Sequence, residues 1–177
     1  MNALLAILVV AAIAVAIVLL LAANKPDTFA VERSVRLPAA AERIFPLIDD
    51  LRRHESWSPF DRPDPATTKT HSGAAHGAGA LYRWHGGKAG AGQIEITESV
   101  PSSRIAMRLR MLKPIRSDNA ITFTLIPAAD GTDVTWAMHG DVPFPAKVMH
   151  VFLDMDRMVG TQFERGLAEL GALAARQ

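Results

Sequence analysis

The groups that could carry acid–base or metal chemistry are six histidines and eighteen carboxylates, because the chain has no cysteine. That absence excludes disulfides, thiolate metal sites and cysteine nucleophiles. His71 and His76 flank a turn around Gly73, but no His-Glu-x-x-His run brings two imidazoles onto one helix face. No metal and no cofactor are therefore expected. His85 and His139 each close an expected strand and, with Glu95, are the candidates for a general acid or base. The remaining carboxylates do not converge. Glu95 and Glu98 are expected on opposite faces of one strand, and Asp154 and Asp156 stand two apart on a helix. Asp49 and Asp50 read as solvated charge at a helix end, so no catalytic residue is assigned.

Glycine-rich stretches do not change this. Gly77-Ala78-Gly79 lacks the third glycine of a dinucleotide fingerprint, and Gly87-Lys88 lacks the rest of a phosphate loop. No Gly-x-Ser-x-Gly elbow is present. A formal net charge of +1 gives no electrostatic case for nucleic acid. Arg104, Arg108, Arg110 and Lys113 could form a local basic strip, read first as a solvated face. What remains conspicuous is apolar: Trp57, Trp84 and Trp136, with Met107, Met111, Met138, Met149, Met155 and Met158. Amphipathic rings and pliable thioethers suit both a core and a pocket for a hydrophobic ligand. Trp57, in a proline-rich loop, is a candidate for the rim of such a pocket.

Those residues need elements to position them. Thr28 to Leu37 alternates as a half-buried strand and Pro38 ends it. Ala39 to Leu51 has helical spacing, with Pro46 expected to split it. Arg52 to Pro65 is a loop with aromatic anchors. Strand signals follow at 67–71, 79–85, 93–99 and 105–111, then through Ile121, Phe123 and Leu125, and finally through Val134, Trp136 and Met138 after an Asp130-Gly131 turn. From about Pro145 to Ala175 the period becomes helical. Val148, Phe152, Met155, Val159, Phe163, Leu167, Leu170 and Ala174 make one stripe, expected as a single long helix. The fold class is α+β: a curved antiparallel sheet wrapped around a long C-terminal helix.

The N-terminus is separate. All 19 basic and 18 acidic residues lie in 25–177, and Ala3 to Ala23 is unbroken and apolar. As a helix it spans ~31 Å, about one bilayer core. Residues 1–24 are expected to be a single-pass transmembrane anchor, a cleavable signal peptide being the alternative, and 27–177 one domain. Lys25, Arg33 and Arg36 follow the span, so the positive-inside rule puts the domain on the cytoplasmic face of the cell membrane.

Element order and local motifs resemble the START-like helix-grip (SRPBCC) superfamily, and within it the polyketide cyclase/dehydrase-type proteins. The resemblance covers roughly 27–175. It rests on Val31-Glu32-Arg33-Ser34-Val35, Pro38-Ala39-Ala40-Ala41-Glu42-Arg43-Ile44-Phe45, Trp57-Ser58-Pro59-Phe60, Gly77-Ala78-Gly79-Ala80 before Tyr82 and Trp84, Gly131-Thr132-Asp133-Val134-Thr135-Trp136, and Phe163-Glu164-Arg165-Gly166-Leu167. It implies a cavity between sheet and helix that takes a hydrophobic small molecule or lipid. The expected lining is Trp57, Tyr82, Trp84, Met107, Phe123, Trp136, Met138, Met155 and Val159. The alternative it implies is a cyclase or dehydratase using a cavity His or Glu.

Overall fold

The computed structural model describes residues 2–176. Helix α1 spans Ala3–Ala23 and is followed by β1 (Thr28–Leu37), α2 (Ala41–Asp49) and a 3-10 helix at Leu51–Ser56. Strands β2 (Thr67–Gly73), β3 (Ala80–Gly86), β4 (Ala91–Val100), β5 (Arg104–Lys113), β6 (Ser117–Ala128) and β7 (Gly131–Asp141) come next, then α3 (Phe144–Phe152) and α4 (Met155–Ala174). The seven strands form one antiparallel sheet in the order β1-β7-β6-β5-β4-β3-β2. A meander of six strands thus closes by pairing its last strand with the first, leaving β1 and β2 as edges.

The alternation of apolar residues sets which face is concave. Val134 and Trp136 on β7, Ile121, Phe123 and Leu125 on β6, and Ile105 and Met107 on β5 are all buried, while their neighbours face out. Helix α4 lies on this face with Val159, Phe163, Leu167, Leu170 and Ala174 inward. Three glycines on α4 let it sit close. A Cβ at Gly160 would lie 2.0 Å from Arg33 Nη2, one at Gly166 would lie 2.8 Å from the Trp136 ring, and one at Gly171 would lie 2.6 Å from Leu37.

Four local expectations change. Pro46 does not split α2, which runs through it to Asp49. Pro46 is on the exposed side of the helix, so the carbonyl whose partner it removes can be solvated. The break falls at Asp50, whose carboxylate accepts the Arg52 N–H and caps the 3-10 turn. The single long C-terminal helix is two helices, interrupted at Leu153-Asp154. Asp154 accepts the Arg157 N–H at 3.0 Å and is the N-cap of α4.

A bulge between Ile96 and Glu98 reverses the alternation in β4, so Glu98 sits opposite Ala106 just as Glu95 sits opposite Arg108. Both carboxylates are therefore on the convex face. Finally, Asp49 is buried, taking a 2.6 Å hydrogen bond from Ser99 Oγ.

Helix α1 is long and apolar enough to cross a membrane, with a mean hydropathy of 3.5, properties that anchors and signal sequences share. It touches the domain through α3, and Ala22 is its one buried residue among those described.

Candidate functional site

The inner face of the sheet is covered unevenly. Under α4 an aromatic cluster fills the interior: Trp136 stacks on Phe163 at 4.1 Å between ring centroids, and Trp57 meets Trp136 and Phe123 edge-on. Trp57 is only 1% exposed, and its indole N–H donates to the Leu47 carbonyl at 2.8 Å. It is a core residue that ties the loop to α2, and not a rim residue.

Toward the start of β1 and α4 the coverage thins. Phe29, Trp84, Ile94, Leu109, Met138 and Met155 are half-buried and pack against the core. The register makes them neighbours. Phe29 and Asn119 both oppose Gly140, Leu109 opposes Asn119, and Ile94 opposes both Leu109 and Tyr82. One step deeper, Met138 opposes Ile121, which opposes Met107, which opposes Ile96. The result is a largely apolar band across five central strands and the edge strand β1, interrupted at its middle by the buried Asn119 amide, which lies over Gly140. The Trp84 indole lies flat over Gly92, where a Cβ would come 2.4 Å from the ring.

Of the expected lining, Met138, Met155, Trp84 and Tyr82 belong to this band, with Met107 and Val159 just beneath it. Trp57, Phe123 and Trp136 lie deeper, in the aromatic cluster. Phe29, Ile94 and Leu109 join the band without having been expected, although each is an apolar residue at a strand position of the right parity.

A polar cluster borders the band at the β2 edge. Tyr82 Oη donates to Asp61 Oδ1 at 2.6 Å, and Lys69 Nζ reaches Asp61 at 2.9 Å and Glu55 at 2.7 Å. His71 stacks on Tyr82 with centroids 4.9 Å apart. Burial, then the bond to Asp61, raises the Tyr82 phenol well above its ordinary value, so it stays a neutral donor. Burial works against the Lys69 charge, but the bonds to Glu55 and Asp61 outweigh it and hold the ammonium protonated. Asp61 Oδ2 and His71 Nε2 are buried with no hydrogen-bond partner. Trp136 Nε1 and Asn119 Oδ1, the latter within the band, are likewise unpartnered.

His85 and His139 are exposed, on strands separated by three others, and so do not meet. Together with Glu95 on the convex face, they are outside the interior. The basic strip is partly paired: Arg108 and Arg110 share Asp118, and Arg104 meets Glu98. Among the described residues no group of three or more His, Asp or Glu is placed to hold a metal.

Two surface concavities stand out. One, of about 490 Å³, lies between the end of α1, the start of β1 and the α3–α4 junction, lined by Lys25, Phe29, His150, Phe152 and Met155 among others. It shares Phe29 and Met155 with the band. The other, of about 390 Å³, lies at the opposite end by the β6–β7 turn.

This architecture matches a family model described as polyketide cyclase / dehydrase and lipid transport over residues 28–175. The chain belongs to that family. Solved structures share the fold. Protein CV1439 from Chromobacterium violaceum superposes with a TM-score of 0.58 at 20% identity, covering 85% of this chain and 98% of that one. Mll3558 from Rhizobium loti gives 0.55 at 27% identity, covering 82% and 95%. DynU16, from the dynemicin biosynthetic locus, gives 0.57 at 18%, covering 84% of this chain and 47% of its own. No curated protein matches the chain. The family's description sets lipid transport beside polyketide cyclisation and dehydration.

Proposed function

We propose that residues 1–24 are a membrane anchor and that residues 27–177 bind a hydrophobic small molecule or lipid between the sheet and α4, on the cytoplasmic face of the cell membrane. The half-buried band of Phe29, Trp84, Ile94, Leu109, Met138 and Met155 carries this reading. It is largely apolar, broken by the Asn119 amide, and shares Phe29 and Met155 with an open groove. Tyr82 belongs to the band, and Trp57, Met107, Phe123, Trp136 and Val159 lie behind it in the core. Burial of such a surface by an apolar ligand contributes roughly 25 cal/mol per Å² before association costs. A tether raises the local concentration of the pocket beside membrane-derived ligands.

The test is native mass spectrometry of the full chain released from nanodiscs, followed by organic extraction. A defined apolar mass that is lost in Met138→Trp and Leu109→Trp supports the reading. A bare chain that stays bare after incubation with membrane lipid extract counts against it.

One observation favours a second reading, a cyclisation or dehydration. Tyr82, Asp61 and His71 form the only cluster of titratable groups, among the described residues, that borders the band with unpartnered buried atoms. Asp61 Oδ2 would take the proton from a substrate carbon and, in a dehydration, return it to the departing hydroxyl as water leaves, while Tyr82 and Lys69, both bonded to Oδ1, hold the carboxylate in place. Turnover that is abolished in Asp61→Asn while ligand binding persists would establish it.

A further inference from the structure

Helix α3 is amphipathic in the wrong sense for a soluble domain. Phe144, Val148 and Phe152 recur every fourth residue, and Pro145 and Met149 flank them, so one face is wholly apolar. That face points outward: Phe144 and Met149 are about half exposed and Phe152 is 71% exposed. The polar residues point inward instead. Lys147 is buried, its ammonium 2.6 Å from Asp27 Oδ1 in the linker that follows α1. Past the helix, Leu153 and Met158 are also exposed.

A contiguous outward apolar surface on a chain with an ordinary charged exterior marks a site that something apolar covers. The position of α3 says what covers it. The helix packs on the last turn of α1, around the buried Ala22, and Val142 donates its backbone N–H to the Asp27 carbonyl at 2.7 Å. Wherever α1 leaves a bilayer, α3 is held at that level by the Lys147–Asp27 pair and the backbone bond. Lys25, exposed at the exit of α1, faces the same junction.

We infer that α3 is an interfacial helix whose Phe144, Val148, Met149 and Phe152 face inserts into the leaflet from which α1 emerges, so that the groove beside the α3–α4 break opens directly on that leaflet. The inference rests on the anchor reading of α1 and is independent of which ligand the pocket takes. Interfacial helices bury such a face about 5–10 Å into the headgroup–acyl boundary. The break at Leu153-Asp154 acquires a purpose on this view. It frees α3 from the grip axis, so that one segment lies on the membrane while α4 holds the sheet.

The cysteine-free chain permits single labels. The full chain, carrying an environment-sensitive fluorophore at Phe152→Cys, Met149→Cys, Ala14→Cys or Asp130→Cys, is reconstituted in phosphatidylcholine–phosphatidylglycerol vesicles. Spin-labelled lipids should quench the probes at 149 and 152 from shallow depth and the probe at 14 from the bilayer centre, while iodide should quench only the probe at 130. Lipid quenching at 14 with iodide quenching at 149 and 152 equal to that at 130 overturns the inference and leaves the anchor standing. No lipid quenching at 14 overturns both. Protection of 149 and 152 from both quenchers, lost as the protein is diluted in lipid, overturns it in favour of a second copy of the chain.

Discussion

The guanidinium of Arg33 occupies the space that a side chain at position 160 would fill. It lies over the bare Cα of Gly160 and from there reaches Asp156 at 2.9 Å and Glu164 at 2.8 Å, one turn of α4 on either side. Those two acids hold the Arg33 pKa above its ordinary value. The pair fixes how closely α4 meets β1, and its carboxylates remain solvated.

The three close-packing glycines should therefore not be equivalent. In Gly160→Ala the obstructing group is the end of a flexible side chain, and the helix gains about 1 kcal/mol of propensity, so the net change should be within about 1 kcal/mol of zero. In Gly166→Ala the new methyl meets the rigid rings of Trp136 and Pro59. Overpacking of that kind typically costs about 1–3 kcal/mol, offset in part by propensity. Gly171→Ala, against the terminal methyls of Leu37, should fall between. Urea unfolding of the three variants checks the order, and a Gly160→Ala loss as large as that of Gly166→Ala would contradict it.

Trp57→Phe should be among the most damaging conservative changes. It leaves the Leu47 carbonyl without its indole donor and thins the contacts to Phe123, Trp136 and His54. A loss of about 2–4 kcal/mol is expected in thermal or urea unfolding.

Acid should destabilise the fold through His54. Burial pushes its pKa below the ordinary value of 6.5, and its ring meets the Ile48 carbonyl at 2.8 Å. The unfolded chain thus takes up the proton first as pH falls. Stability is complete above about 6.5 and declines below it. Urea midpoints measured from about pH 8 to about pH 5 should drop, and the drop should be shallower in His54→Asn. An unchanged slope in that variant would assign the effect elsewhere.

The Asp61 cluster predicts unequal single losses. Tyr82→Phe removes one neutral donor and should cost about 1–3 kcal/mol. Lys69→Met removes the cation facing a nearly buried carboxylate and should cost about 3–5 kcal/mol. The double variant Lys69→Met/Asp61→Leu should recover much of that loss. Unfolding of the wild type, Lys69→Met, Asp61→Leu and the double variant as a double-mutant cycle measures the coupling, and strict additivity would show that the groups do not act together.

The strands were legible because apolar residues alternate cleanly on β5, β6 and β7, and α4 was legible because its stripe is unbroken from Val159 to Ala174. The helix break was not, since the stripe continues in phase through Val148, Phe152 and Met155. The N-cap chemistry of Asp154 was the available signal. The bulge in β4 carries no such mark, and one extra residue was enough to move Glu98 to the other face. At the site, the band on the strands could be anticipated from parity. Asp61 and its partners could not, because a loop after Trp57 delivers the carboxylate and no periodicity reports where a loop folds back. His85 and His139 drew attention by residue type alone, and the strand order keeps them apart.

The segment between α1 and β1 is short. Asn24 to Asp27 spans at most ~14 Å when extended, and Asp27 is pinned to Lys147. On the anchor reading, the domain has almost no radius of travel. It cannot ferry cargo between two membranes as a free carrier would. Whatever it holds must come from, and return to, the patch of bilayer beneath it or be handed to a visitor, which makes it a stationary dock instead of a shuttle.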